Sequence, residues 1–460
     1  MNKKTIKEVL LTCLKTGADF SEVFIEKTIN NVYEMTKDKV TKVTTNYIYG
    51  IGLRVLKGSE EAYASTSDLS LKNVLKLAEK VASSYRGSPV IQDFKWQKTP
   101  KRQITPVLRS PSNVSNEEKL SLLSETNKTA ANYSKEVVQV ISYLTDTEQS
   151  VLIANSKGVY IKDIRTNIRL STNVVASDGK IMQTANDNFG RNQGYEMFEN
   201  FDTKTFASAI AKASVTMLHA DEISGGKMTV VVHNAFGGVL LHEACVHSLE
   251  ATSVAKKASV FSDKLGQKIA SDIVTAIDDG TINNSWGSLN YDDEGHVTQK
   301  NILIEKGILK SYLVDYRNSL IMNHPTTGSG RRQSYKFSPT SRMTNTFFAP
   351  GKSTFAEIIE NTNYGLFAKK MGGGSVDPST GQFNFAVNEA YLIEDGKITK
   401  PVRGATLIGS GAEILMNIDM IANNLDYGHG MCGSLSGSIP TNVGQPTIRV
   451  QNITVGGRGK

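Results

Sequence analysis

The strongest constraint on how this chain folds is the run from Val137 to Asn186. Apolar and polar side chains alternate through VVQVISYLTD, SVLIANS, GVYIKDIRTNIRLSTNVVAS and KIMQTAND, which is the period of a sheet with two different faces. Turn residues at Asn155–Gly158 and at Ser177-Asp178-Gly179 fall where a meander reverses direction. This part of the chain therefore reads as antiparallel sheet.

The segments before it supply further strands and the helices that cover them. A helix is expected over 3–16, then strands over 18–26, 31–44, 47–55 and 60–68, with Gly50 and Gly52 as close-packing or bulge positions. Asp68 is placed to cap a helix reaching about Ser84, in which Leu71, Val74, Leu75, Ala78 and Val81 recur at helical spacing. Residues 86–113, rich in Pro, Ser and Lys, read as a connection, and Ser115-Asn116-Glu117-Glu118 is a capping box that opens a helix to about Tyr133. A helix over 203–219 closes this half.

At 460 residues the chain is too long for one ordinary domain. Gly225-Gly226 marks the expected boundary, between an N-terminal mixed α/β domain over 1–224 and a C-terminal domain over 225–460. The second half opens with a strand over 227–233. NILIEKGILKSYLVDY reads as a hairpin turning at 305–307, and GSGRRQSY (328–335), GGGSVD (372–377) and GATLIGSG (404–411) read as loops with backbone freedom. The tail from His429 reads as two or three strands joined by Gly/Ser turns. The expected class is α+β, the C-terminal domain being dominated by antiparallel sheet.

Directly after the strand at 227–233 comes His242-Glu243-Ala244-Cys245-Val246-His247-Ser248-Leu249-Glu250, in a segment that reads as helix. Imidazoles bind zinc, and a neighbouring carboxylate can take a proton from water at such a site. The usual helical zinc motif, HExxH, sets its histidines at i and i+4; this chain has HExxxH. At roughly 100° per residue, positions i and i+5 lie about 140° apart on a regular helix, so a shared metal requires the helix to be locally widened, as at a π-bulge. A third ligand would come from Cys245, Cys432, Glu250, Asp292, Asp293, His324 or His429. Cys245, two residues before His247, reads as a small buried apolar residue. Cys432 lies between glycines at 430 and 433, and residue type alone leaves it evenly divided between a core cysteine and a ligand.

Charge and cysteine usage narrow the function classes. Net charge is +7, from 52 basic and 45 acidic residues, with no dense Lys/Arg cluster of the kind that marks direct nucleic-acid contact. No apolar run approaches the roughly 18 residues that span a bilayer, and the basic start reads as an amphipathic helix, so no membrane association is expected. Three cysteines offer no disulfide framework, which suits a reducing cytoplasm.

Several blocks, taken together and in order, carry a resemblance: HEACVHSLE, SLNYDDEG, GSGRRQSYKFSPTSRMTNTFFAPG, GGGSVDPSTGQFNFAVNEAYLIEDGKITKPVRGATLIGSG and MCGSLSGSIPTNVGQPTIRV. With ADFSEVFIEK, YGIGLRVLKGSEEAYASTSDLS and LIANSKGVY upstream, the chain resembles the TldD/PmbA family of zinc metalloproteases, also known as modulators of DNA gyrase, over nearly its whole length. The resemblance implies an N-terminal α/β domain and a β-rich C-terminal domain. It implies Zn²⁺ bound by His242, His247 and Cys432, with Glu243 as the catalytic glutamate. It further implies a metal-bearing TldD-like subunit that pairs with a TldE/PmbA-like subunit or with itself and acts on flexible or unfolded peptides. Arg331 and Arg332 are expected substrate or interface contacts.

Two departures from the family pattern stand out. Val246 occupies a position where the family commonly has glycine, and a β-branched residue is stiffer there. The tail reads Pro440-Thr441-Asn442-Val443-Gly444 in place of a Pro-Val-Gly-Val-Gly type run. The alternatives to peptide hydrolysis are a non-catalytic peptide-binding or modulator protein and a metal-dependent amide hydrolase of small biosynthetic substrates.

Overall fold

A computed structural model describes residues 1–377 and 379–457. The first half contains α1 (Lys3–Cys13), β1 (Phe20–Thr36), β2 (Lys39–Lys57), β3 (Glu60–Thr66), α2 (Leu71–Ala82), α3 (Asn116–Ala131), β4 (Val137–Asn155), β5 (Tyr160–Ser177), β6 (Met182–Asn192) and α4 (Thr203–Leu218). Its strands form one antiparallel sheet in the order β3-β2-β1-β4-β5-β6, so the expected meander is present. Two expectations fail here: α2 is capped at Ser70, not at Asp68, whose carboxylate accepts from Ser70 N–H, and the strand breaks are absent. Breaks expected near 27–30 and 45–46 do not occur; β1 and β2 run unbroken and reverse at Lys37 and Asp38, whose φ angles are 48° and 61°. Both turn residues are left-handed, the turn geometry that matches strand twist, and no glycine advertises it.

The two faces of this sheet have different fates. Val23 and Leu53, paired across β1 and β2, join Ile6, Leu10, Val74 and Ala78 in a core beneath α1 and α2. Farther along, α3 and α4 cover Val140, Leu144, Leu170 and Val174. The opposite face carries Glu22, Glu26, Arg54 and Arg165, all buried. A charged face can be buried only against partners, and the second half supplies them. Arg54 Nη2 donates to Glu22 at 2.9 Å and to Glu294 at 2.6 Å; Arg332 pairs with Glu22, and Arg165 Nη1 meets Asp293 at 2.5 Å. Tyr335 N–H donates to Glu26 at 2.8 Å. Gly50 is a close-packing position: a Cβ there would stand 2.3 Å from the Tyr335 ring.

In the second half the chain runs through β7 (Asp221–Glu222), β8 (Gly226–Val232), α5 (Val239–Ala244), α6 (Ala251–Val254), β9 (Ala276–Asp279), β10 (Lys300–Glu305), β11 (Ile308–Leu309), α7 (Tyr316–Met322), β12 (Gly330–Arg331), β13 (Thr340–Ser341) and β14 (Asn345–Phe348). It continues with α8 (Phe355–Glu360), β15 (Tyr364–Val376), β16 (Gln382–Glu394), β17 (Lys397–Arg403), β18 (Thr406–Ser410), α9 (Gly411–Asn417), β19 (Ile418–Ile421), β20 (Asp426–Ser434), β21 (Gly437–Gln445) and β22 (Ile448–Gly456). Two sheets sandwich the core, one ordered β11-β10-β9-β14-β21-β20 and the other β15-β8-β22-β18-β16-β17-β7. Most pairings are antiparallel, and the class is α+β as expected; β14–β21, β15–β8 and β17–β7 are parallel.

The hairpin at 305–307 and the three tail strands are where the sequence puts them. Residues 372–376 and 406–410, expected as loops, are strand instead. Gly374 pairs with Phe385 through an irregular register, and Leu407 enters the core with no exposure, so neighbouring strands override the local glycine content. Among the described residues no helix is long and apolar enough to cross a membrane.

Two consequences follow from the charged joint. Arg54→Ala removes the guanidinium partner of buried Glu294 and leaves Glu22 to Arg332 alone, and is expected to cost about 3–5 kcal/mol, read as a lower denaturant midpoint. Burial, with Asp315, Asp292 and Glu22, raises the Glu294 carboxyl above its ordinary value. His296 rises from 6.5 to about 9 because Asp292 and Glu294 outweigh the burial that opposes its charge. Both raised values mean that the folded state binds more protons than the unfolded one, so stability falls as pH rises. The His296 share is complete below its ordinary value of 6.5 and is lost through about 9. Urea midpoints measured across that interval should decline, and His296→Gln should flatten the decline.

Candidate metal centre

The site is built where β8 hands over to α5. α5 is short and buried, with Val239, Leu240, Leu241 and Ala244 in the core. It packs so closely against the start of α9 that a Cβ at Gly411 would lie 1.7 Å from the Ala244 carbonyl oxygen. The helix ends at Cys245, whose φ of −131° and ψ of −60° leave the helical region. The chain then takes a 3-10 turn over Val246–Leu249, closed by Ser248 N–H donating to Cys245 O at 2.9 Å.

The expected π-bulge is therefore replaced by a break. Ending one helix and starting a tighter turn rotates His247 back toward His242, and their rings lie 4.7 Å apart at 86°. Val246 sits fully buried in the right-handed 3-10 turn, a conformation open to any L-residue, so glycine is not required at this position.

Cys432 arrives from β20, where it pairs with Ile439 of β21. Its Sγ lies 3.5 Å from His247 Nε2, and His242, His247 and Cys432 each offer a ligand atom within 4.8 Å of the others. Arg342, with no exposure, holds this hairpin: Nη1 donates to Ser436 Oγ and Gly437 O at 2.9 Å, and Nη2 donates to Cys432 O. Glu243 Oε2 stands 3.7 Å from His247 Nε2. Glu250, weighed from sequence as a ligand, instead accepts from His247 Nδ1 at 3.2 Å, which turns Nε2 toward Cys432.

The electrostatics separate the two histidines. Burial, the neighbouring His247 and Arg342 hold His242 well below the ordinary histidine value, and its buried Nδ1 has no hydrogen-bond partner among the described residues. Burial also opposes charge on His247, but Glu250 and the Cys432 contact raise it well above that value. Burial raises the Glu243 carboxyl, against the pull of His247.

These donors fit a metal ion. Bonds of about 2.0–2.3 Å in a tetrahedral site put ligand atoms roughly 3.3–3.8 Å apart, a range that contains the His247–Cys432 separation. Two imidazoles and a thiol form a donor set suited to zinc, and His242 brings an otherwise orphaned buried nitrogen.

The other sequence candidates lie elsewhere. Cys245 is buried beneath the turn, and burial raises its thiol. His324 Nδ1 meets the carbonyl of its own neighbour, Pro325. His429 projects from the opposite face of β20 to Cys432, contacts Arg191 and lines a cavity of about 460 Å³. Asp292, Glu294 and His296 cluster, but N–H groups of Glu294, His296 and Gly330 occupy Asp292, and Arg54 and Tyr316 N–H occupy Glu294. Arg332 is committed to Glu22 and the Asp293 carbonyl. Arg331 donates to Met343 O and lines a different cavity. Arg342 was missed from sequence because nothing local marks an arginine that acts on a hairpin 90 residues away.

Comparison with known proteins places the chain in a family. Residues 225–457 match the model of the PmbA/TldA metallopeptidase C-terminal domain, residues 109–218 the central domain and residues 21–84 domain 1. The chain belongs to the PmbA/TldD metallopeptidase family. A Metalloprotease TldD homolog of Buchnera aphidicola is 35% identical, covering 95% of this chain and 93% of its own. One from Haemophilus influenzae is 36% identical over 99% of this chain and 97% of its own. In fold, this PmbA/TldD chain is similar to a putative modulator of a DNA gyrase from Thermotoga maritima, with TM-score 0.81 at 19% identity, covering 99% of this chain and 100% of that one. It is likewise similar to TldE from Thermococcus kodakarensis, with TM-score 0.77 at 18% identity over 98% and 99%.

Glu250→Gln replaces the charged partner of His247 and should weaken metal binding about 10–100-fold. Competition with a chromophoric chelator measures this, and an unchanged affinity would show that His247 needs no such partner.

Proposed function

We propose that this chain is the metal-bearing, TldD-like subunit of a zinc-dependent peptidase that hydrolyses flexible or unfolded peptides. The observation that carries the reading is the convergence of His242, His247 and Cys432 with Glu243 beside them. The names of the family relatives support it, including a zinc metalloprotease TldD homolog of Saccharolobus solfataricus, 25% identical over 96% of this chain.

His242, His247 and Cys432 would hold the ion, which when bound supplies Lewis-acid chemistry to a scissile amide. Glu243 accepts the proton of the attacking water as its oxygen adds to the carbonyl carbon. The same carboxyl then returns that proton to the departing amine as the C–N bond breaks. Glu250 keeps His247 in one orientation throughout.

β20 is the last strand of its sheet, and it carries Cys432. Its outer edge offers backbone donors and acceptors to an extended peptide, a mode that reads main chain and so tolerates varied sequences. Folded substrates cannot present such an edge, which accounts for a preference for flexible ones. The reading includes a TldE/PmbA-like or identical partner subunit and a reducing cytoplasm, consistent with Cys13, Cys245 and Cys432 all being free and buried. It takes residues 1–224 as the N-terminal domain and 225–460 as the catalytic one.

Glu243→Gln should retain zinc by metal analysis while peptide cleavage falls roughly 10²–10⁴-fold. Cys432→Ser should lose the metal. Undiminished cleavage in the first variant, or full occupancy in the second, would sink the corresponding assignment.

A further inference from the structure

On the opposite face of the β20–β21 hairpin from Cys432 lies a cavity of about 490 Å³, walled by the charged face of the first sheet, by Met431 and Pro440 of the hairpin, and by Arg331. Adjacent strand residues point to opposite faces, so Met431 lines this cavity while Cys432 faces the metal centre. The volume falls within the ordinary range for small-molecule sites.

Its walls hold more positive charge than they neutralise. Four arginines line it: 165, 169, 331 and 332. Arg165 is paired with Asp163 and Asp293, and Arg332 with Glu22. The carboxylates that line the same cavity are also committed. Glu26 accepts from Thr28, Gln149 and Tyr335 N–H, and Asp293 accepts from Arg165 and from Arg332 N–H. Arg331 and Arg169 are left without an ion pair among the described residues. Arg331 is only 4% exposed, yet its guanidinium makes one hydrogen bond among those residues, to Met343 O. Burial, with Arg342 and Arg165 nearby, lowers its pKa to about 10, and the more distant Asp293 and Asp278 offset this only in part. Arg169 lies over the Trp286 ring at 5.5 Å, and burial alone lowers its pKa.

An interior guanidinium not directly paired with a carboxylate is costly unless something else supplies the negative charge. A planar fork of N–H donors matches a carboxylate or phosphate group. Asn46 and Asn167 on the same wall add amide groups that can bind the neutral part of a ligand.

We infer that this cavity binds a small oxyanion, a carboxylate- or phosphate-bearing molecule whose anionic group is held between Arg331 and Arg169. The site does not depend on the peptidase reading, because it lies across the hairpin from the metal ligands and uses none of them.

Trp286 is one of two tryptophans in the chain and lines the cavity, so its emission reports locally. The full-length protein is titrated with inorganic phosphate and, separately, with succinate, with uncharged succinamide as the control. A saturable change in emission with at least one oxyanion is expected, with no response to succinamide and none in Trp286→Phe. Phosphate alone or succinate alone identifies which oxyanion the cavity prefers. In Arg169→Gln, at a half-buried position, the midpoint should move roughly tenfold or more to higher concentration. Arg331→Gln should give the same shift, and Arg169→Gln decides where that variant fails to fold by circular dichroism. No saturable response to either anion, an equal response to succinamide, or an unchanged curve in Arg169→Gln overturns the inference.

Discussion

The buried contact between Glu22, Arg54, Arg332 and Glu294 is the constraint on which the arrangement of the two halves depends. Each of these side chains is at most 3% exposed, and each would be destabilising if left alone in the interior. Their mutual compensation lets a sheet bury a charged face. It also fixes the segment from Gly330 to Arg342, because Arg332 reaches back to Glu22 while the short β12–β13 ladder pairs Gly330 with Ser341 and Arg331 with Thr340. At the far end of that ladder Arg342 grips the β20–β21 hairpin and the carbonyl of Cys432. A continuous set of contacts thus runs from the first sheet to the cysteine of the candidate metal centre.

Against that fixed hairpin, the turn that carries the candidate metal ligands meets a second constraint. Histidines five residues apart do not face one point on a regular helix, and here the helix stops at Cys245, which brings the two rings together. The stop is enforced by packing: α5 is wedged between core side chains and the start of α9, and the tighter turn that follows is itself buried. Glu250 then orients His247 from within the same stretch of chain. Four functional groups come from nine consecutive residues, and a single outside residue, Cys432, completes the set.

The parts of the fold legible from sequence are those in which local pattern and tertiary packing agree. The alternation over 137–186 leads to β4, β5 and β6, and Ser115 caps α3 by accepting from Glu118 N–H at 3.2 Å. The misreadings among the strands have one cause. Glycine was read as a sign of loop in 372–377 and 404–411, and its absence hid the left-handed turn at Lys37-Asp38. In each case pairing with neighbouring strands decides the backbone, and those neighbours are distant in sequence.

By itself, the sequence determined the antiparallel character of the first half, the family and the residue types available to a metal: two imidazoles and a carboxylate at fixed spacing, with a thiol 185 residues beyond the second histidine. These follow from periodicity and from motif, which are local. Only the tertiary structure decided that the histidines meet through a helix break, that Glu250 orients while Glu243 adjoins, and that Arg332 joins the two halves. It alone left Arg331 lining a cavity without an ion-pair partner among the described residues. Each of those outcomes turns on which donors and acceptors are brought together from remote segments once water is excluded, and no local pattern encodes that.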